Sequence, residues 1–200
     1  FSEYITENGD DENNSHLRKA LLRKAQQTPD IIWNQLLSWM FIQQRDYGKA
    51  FAQERAIFKR APESLRGILD LARITIEQEE VETAKTILNY VIENVMEPTI
   101  VLDAHKDALE IEAKHTPKDN YASIDEKYKS LLEFYGRNVQ TINLQLSYGR
   151  FMAFYNDKPK EAISFLKNLA WLDLQQNKLE QLPEFFGRLD ALKVLNLENN

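Results

Sequence analysis

The 200-residue chain contains no cysteine. Disulfide staples and thiolate chemistry are thereby excluded, and the absence fits a reducing or an oxidising compartment. Glycine and proline are scarce, six of each, which favours long helices over a turn-rich β fold. No apolar run approaches the roughly 18 residues needed to span a bilayer. An excess of positive charge is also missing. The formal net charge is −6, which argues against a general nucleic-acid binder, because phosphate neutralisation needs clustered Lys and Arg. The chain opens with FSEYITENGDDENNS, without Met and without the pattern of a signal peptide, and is expected to be a fragment.

What is present is helical. A 43% hydrophobic fraction is enough to bury a core, and the charges are interspersed as on solvated helix faces. Phe1 to Thr6 reads as the end of a helix and Glu7 to Asn14 as an acidic loop. Asp10, Asp11 and Glu12 lack the alternating ligands of a calcium loop. Asn14 or Ser15 is placed to cap a helix to about Gln27, with Leu17, Leu21, Leu22 and Ala25 on its apolar face. Trp33, Leu36, Leu37, Met40 and Phe41 then give a helix, Ile31 to Gln44, capped by Asp30 and expected to pack on both sides. Asp46 to Lys49 make a turn, and Ala50 lets the next helix approach closely. Thirty-four residues later Ala84 stands in the same place, and Ile68, Leu71 and Ala72 match Asn34, Leu37 and Ser38. Pro29, Pro62 and Pro98 close successive units.

The register continues. Thr99 to about His115 and Tyr121 to Tyr135 form a fourth helix pair, with Ile124, Tyr128 and Leu131 inward. A fifth begins near Val139, with Gly149 and Ala162 at the close-contact positions. From Leu166 the period changes. Leu166, Leu169, Leu172, Leu174 and Asn177 recur at one fixed, shorter step as Leu189, Leu192, Leu195, Leu197 and Asn200. Leucines at that spacing are expected on short strands that point into a common core.

A 34-residue helix–turn–helix step is the spacing of a tetratricopeptide array, and L-x-x-L-x-L-x-x-N-x-L is the leucine-rich repeat pattern. The expected fold is mainly α: a tetratricopeptide-like right-handed solenoid over residues 1–165, then a short α/β leucine-rich segment over 166–200. Leu37, Phe41, Ala50 and Pro62, with Leu71, Ala72 and Ala84, carry the first resemblance. Asn34 and Lys106 depart from it. The wider text of FSEYITEN, LLRKAQQTPDIIWNQLLSWMFIQQRDYGKAFAQERAIFKR and ETAKTILNYVIEN resembles bacterial tetratricopeptide proteins that carry an export signal. That resemblance covers roughly residues 1–168 and implies a periplasmic or envelope scaffold without catalysis; without it a cytoplasmic location stands. The switch to leucine-rich repeats departs from that family and points also to a truncated or engineered fusion.

No G-x-S-x-G, P-loop or G-x-G-x-x-G motif occurs, so no catalytic or cofactor-binding residue is assigned and the chain is not read as an enzyme. Asp103, His105 and Glu112 lack a second His at helical spacing, and no metal site is assigned. In a tetratricopeptide array the first helix of each unit lines the groove. The register thus offers Ile32, Gln35, Trp39, Ile42 and Gln43, then Arg66, Leu69, Arg73, Ile76 and Glu77, to a protein or peptide partner. The opposing reading packs Trp39 and Ile42 into the core. Arg66 and Arg73, seven residues apart, could hold a carboxylate, although the fuller Lys/Asn clamp of chaperone-binding tetratricopeptides is absent. A second reading is a structural envelope protein that stacks on copies of itself, using the open leucine-rich end for self-association.

Overall fold

The computed structural model describes residues 11–28, 30–167, 171–173 and 194–196. The chain is mainly helical and divides into two units, Phe1–Val91 and Ile92–Asn200. Expectations for residues 1–10, for Pro29, and for most of the leucine-rich segment lie outside the described residues.

The first unit begins with α1, Asp11–Gln27. It starts earlier than the Asn14 or Ser15 cap expected from sequence. Asp11 and Glu12 belong to its first turn rather than to a loop. Helix α2, Ile32–Gln43, follows, and the Asp30 carboxylate accepts the Ile32 N–H at 2.9 Å. Helix α3 spans Tyr47–Arg60 and is capped by Asp46, which accepts the Lys49 N–H at 3.2 Å. The turn is therefore shorter than the Asp46–Lys49 segment expected. Helices α4, Leu65–Glu77, and α5, Val81–Asn94, form the next pair.

The two turns are the same object repeated. Arg45 ends the first at φ 56°, and Glu79, at the equivalent place, ends the second at φ 58°. The Asp46 N–H bonds back to Phe41 O at 2.8 Å, and Glu80 N–H to Thr75 O at 2.9 Å. These bonds close a Schellman-type terminus, satisfying carbonyls that a helix end would otherwise leave free. Ala50 and Ala84 each stand five residues past the residue that ends the turn, and both are fully buried at 0% exposure. Leu37 and Leu71, then Ser38 and Ala72, fill matching buried positions. At Asn34 the register places an amide where Ile68 stands in the next unit. It is buried but partnered: its Nδ2 donates to Gln53 Oε1 at 2.9 Å, and Arg60 donates to its Oδ1.

Two expectations for this unit fail. Leu22 and Leu36 were placed on buried faces, yet both are exposed, at 37% and 39%. Helix α2 is packed over Leu37, Met40 and Phe41 and bare over the opposite stripe. An apolar face broader than its neighbours can cover leaves such an edge.

The second unit is built on α6, Pro98–His115, α7, Tyr121–Tyr135, α8, Ile142–Arg150, and α9, Pro159–Leu166. Pro98 does not end α5. It opens α6 at the first helical position, where a missing N–H costs nothing, with Glu97 as the cap. Helix α8 runs on through one π turn, Phe151–Tyr155. The core joins Leu102, Leu109, Ile124, Tyr128, Leu144, Tyr148, Phe151 and Ala162. Tyr128 and Tyr148 stack at 5.1 Å, and Phe165 meets Tyr148 edge-on at 5.0 Å. Leu132, rather than Leu131, takes the buried place near the end of α7. Gly149 faces Leu166: a Cβ built there would lie 2.8 Å from Leu166 Cδ1. Leu166 thus turns toward α8. Beyond it, β1, Trp171–Asp173, pairs in parallel with β2, Val194–Asn196. Trp171 pairs with Val194, Leu172 with Leu195 and Asp173 with Asn196, each at the step by which the leucines recur.

Ala50→Leu and Ala84→Leu should each overpack a helix contact and lower stability by about 1–3 kcal/mol. Urea midpoints unchanged in both variants would contradict the repeated contact. At the other end, Gly149→Val should displace Leu166 and lower the urea midpoint, while Leu166→Ala in the same background should restore part of the loss. Strictly additive losses in the double variant would show that the two residues do not meet.

Candidate functional site

The sequence reading nominated two sets of residues, and each lies on one helix of the first unit. On α2, Ile32, Gln35, Trp39 and Gln43 are exposed, and Ile42 is half-buried. Ile32 reaches 42% exposure and Trp39 37%. The opposing expectation, that Trp39 packs into the core, does not hold. The positions 32, 35, 36, 39 and 43 recur at helical spacing, so they form one ridge. The packed side of the same helix holds Leu37, Ser38 and Phe41.

On α4, Arg66, Arg73 and Glu77 are exposed, while Leu69 and Ile76 are half-buried. Arg66 and Arg73 are drawn together by a residue that sequence reasoning passed over. Asp70 lies between them, 3.6 Å from Arg66 Nε and 3.7 Å from Arg73 Nη2. The signal was available: Asp70 is four residues after Arg66 and three before Arg73, on the same face. An incoming carboxylate would find both guanidinium groups already turned to a resident one. The two ion pairs are exposed and cost little to open, on the order of 1 kcal/mol or less each. Among the described residues, no hydrogen bond or ion pair joins the α2 set to the α4 set.

Between α2, α3 and α4 lies a second group that the sequence did not advertise. Glu54 of α3 is half-buried, and its carboxylate occupies the space beside Gly67 of α4. A Cβ on Gly67 would lie 2.1 Å from Glu54 Oε2. Ser38 of α2 is buried, and its hydroxyl makes no well-formed hydrogen bond. Burial pushes the Glu54 carboxyl above its ordinary value; the nearby Ser38 hydroxyl opposes the rise and the charge on Asp70 adds to it. A lone Glu on an amphipathic helix gives no sequence cue of this kind, because the missing Cβ of Gly67 creates its space.

The residues considered for a metal have other partners. Glu112 accepts from Lys127 at 2.6 Å, and Asp103 from Asn143 at 3.2 Å. His105 is half-buried, and desolvation holds its pKa below the ordinary value. Among the described residues, no group of three or more His, Cys, Asp or Glu is placed to hold a metal ion. No helix among them is long and apolar enough to cross a membrane. In the second unit, Tyr148 donates to Asp125 at 2.8 Å, and Lys129 pairs with the same carboxylate at 2.6 Å. That network ties α7 to α8. Compared with protein-family models, with curated proteins and with solved structures, the chain matches none.

The raised Glu54 pKa has a definite sign. The folded state holds the proton more tightly than the unfolded chain, so stability falls as pH rises through the folded-state value. Above it, the full penalty of burying the carboxylate is present. Glu54→Gln should therefore raise the melting temperature at pH 7 more than at pH 4. An equal shift at both pH values would mean the carboxylate is not penalised by burial.

Proposed function

We propose that the chain is a non-catalytic protein-interaction scaffold, a tetratricopeptide-type solenoid that runs into leucine-rich repeats. The observation that carries this reading is the repetition of one turn and one buried alanine at a 34-residue step. The parallel strand pairing supports the leucine-rich part, since its offset equals the step at which Leu166 to Asn177 recur. Repeat architectures bury one side of each unit against its neighbours and leave another side for partners.

The bound species is a peptide or protein segment. Trp39 supplies a rigid apolar anchor with little entropy to lose, and Gln35 and Gln43 beside it offer both donors and acceptors to a peptide backbone. On α4, Arg66 and Arg73 supply guanidinium forks for a carboxylate, with Leu69 and Glu77 beside them. Asp70 acts as a placeholder: it keeps the two arginines oriented and yields when a partner carboxylate arrives. A structural role, in which copies stack on one another, is the rival reading and predicts a mass above that of one chain.

Reversal of both arginines, Arg66→Glu with Arg73→Glu, should weaken capture of a purified partner about tenfold or more. Undiminished capture, with loss only when residues on the packed side of α2 are changed, would remove this face from the binding function. Light scattering separates the rival, because a mass of one chain at working concentration excludes self-stacking.

A further inference from the structure

The carboxyl of Glu54 is built against the stretch of α4 that carries the two arginines. It fills the place of the missing Gly67 Cβ: a Cβ there would lie 2.1 Å from Glu54 Oε2 and 2.8 Å from its Cδ. Gly67 follows Arg66 directly and precedes Asp70 by three residues, so Asp70 shares its side of α4. Asp70 in turn lies 3.6 Å from Arg66 Nε and 3.7 Å from Arg73 Nη2. A relay of charge therefore runs from the exposed face of α4 to the α3–α4 contact: the arginines, then Asp70, then Glu54.

The other charges around Glu54 are engaged or turned elsewhere. Helix α2 has no titratable residue between Ile32 and Gln43 and offers Glu54 the buried Ser38 hydroxyl. On α3 itself, Arg55 lies over the rings of Phe51 and Tyr90, and Arg60 donates to Asn34. Glu63, in the short turn Pro62–Ser64, is exposed. On α5, Glu82 and Lys85 pair with each other. The charge that bears on Glu54 is that of Asp70, which acts in the same direction as burial and favours the neutral carboxyl.

We infer that the proton on Glu54 regulates the arginine pair: the α4 site takes up an anion together with a proton at Glu54, and holds the anion more tightly while that carboxyl is neutral. This deepens the reading of Arg66 and Arg73 as a carboxylate site and rests on it. The physical step is Coulombic. An anion that engages both guanidinium groups brings negative charge to this face and draws the arginines from Asp70, whose charge is then less neutralised beside Glu54. The ionised form of Glu54 is penalised by burial and, more than before, by that charge. Linkage makes the effect reciprocal. The affinity is highest while Glu54 is protonated in the free protein. It falls as pH rises and Glu54 ionises, and it levels off once Glu54 is ionised in the bound protein as well.

The test uses the full chain with inorganic sulfate as the probe, because sulfate keeps its double charge between pH 4 and pH 8. NMR of the arginine Nε–H groups reads binding. The side-chain carboxyl signal of Glu54, assigned by its loss in Glu54→Gln, reads the titration midpoint. Sulfate should raise that midpoint. It should also bind about two- to threefold more tightly at pH 4 than at pH 8, over and above any change that persists in Glu54→Gln. Without sulfate, Asp70→Asn should lower the midpoint, and Arg66→Gln with Arg73→Gln should raise it and abolish the response to sulfate. Circular dichroism checks that each variant is folded. Sulfate that engages the arginines while the Glu54 midpoint stays fixed would overturn the inference and leave the carboxylate site standing. So would an equal pH dependence of binding in the parent chain and in Glu54→Gln. Sulfate that moves neither arginine signal would discard the site and the linkage together.

Discussion

The two helix pairs of the first unit close because alanine stands five positions past the residue that ends each turn. At Ala50 and Ala84 the side chain ends at Cβ, and both are wholly out of solvent. Nothing bulkier fits between helices at that approach without displacing a neighbour. The turn before each alanine holds a residue at positive φ, Arg45 and Glu79. Neither is glycine, so each carries a modest conformational cost that the surrounding hydrogen bonds and packing offset. The same logic reappears at α8 and α9 with a different residue. There Gly149 lies under Leu166 and Ala162 is buried, and the turn between them has Asp157 at φ 51°. The preceding π turn adds length to α8, so the backbone bond that closes the turn reaches from Lys158 to Met152 at 2.8 Å rather than one residue less. The contact is kept and the connection changes to keep it.

Once the pairs close, the positions facing them must be filled, and they are filled unequally. Leu37 and Leu71 are interchangeable by burial. Phe41 and Thr75 are not chemically alike, yet both are buried at the same place in their pairs. Thr75 is satisfied locally, donating to Leu71 O at 3.0 Å or to Ala72 O at 2.8 Å. Asn34 is satisfied across the pair, by Gln53 and Arg60 of α3. Such substitutions survive because a buried polar group costs little once its partners are in place and a great deal when they are not. They also make each unit distinct. A hydrogen-bonded Asn34 suits Arg60 and Gln53, which helps hold α3 in one register against α2.

Helix existence, and the 34-residue match between the two turns of the first unit, were legible from sequence because they rest on residue size and spacing. Tyr121–Tyr135 was bounded to the residue, since Gly136 at φ 76° ends it where no side chain is tolerated without strain. What was not legible depended on which faces find a neighbour. Leu22 and Leu36 looked buried because apolar periodicity counts residues, not the helices available to cover them. Pro98 was read as a stop, although proline serves equally as a first helical residue. Of the nominated binding residues, their placement on two helix faces was legible, while the role of Asp70 between Arg66 and Arg73 required seeing three side chains together. Leu166 belongs to two periodicities at once, that of a helix and that of the leucine pattern, and pattern alone gave no reason to prefer Gly149 as its neighbour.

That division leaves the outward ridge of α2 outside the packing. Packing is satisfied on the side of Leu37, Met40 and Phe41, so changes at Ile32, Gln35, Trp39 or Gln43 leave the alanine contact untouched. The packed side and the proposed recognition side of α2 are then half a helical turn apart. The same separation is less complete on α4, where Gly67 makes room for Glu54 and Asp70 both pairs with the arginines and raises the Glu54 pKa. A partner carboxylate that drew Arg66 and Arg73 from Asp70 would leave the charge on Asp70 less neutralised. That would disfavour the ionised form of Glu54 further, across the α3–α4 contact. A carboxylate held at Arg66 and Arg73 would thus be coupled electrostatically to the half-buried Glu54 between helices.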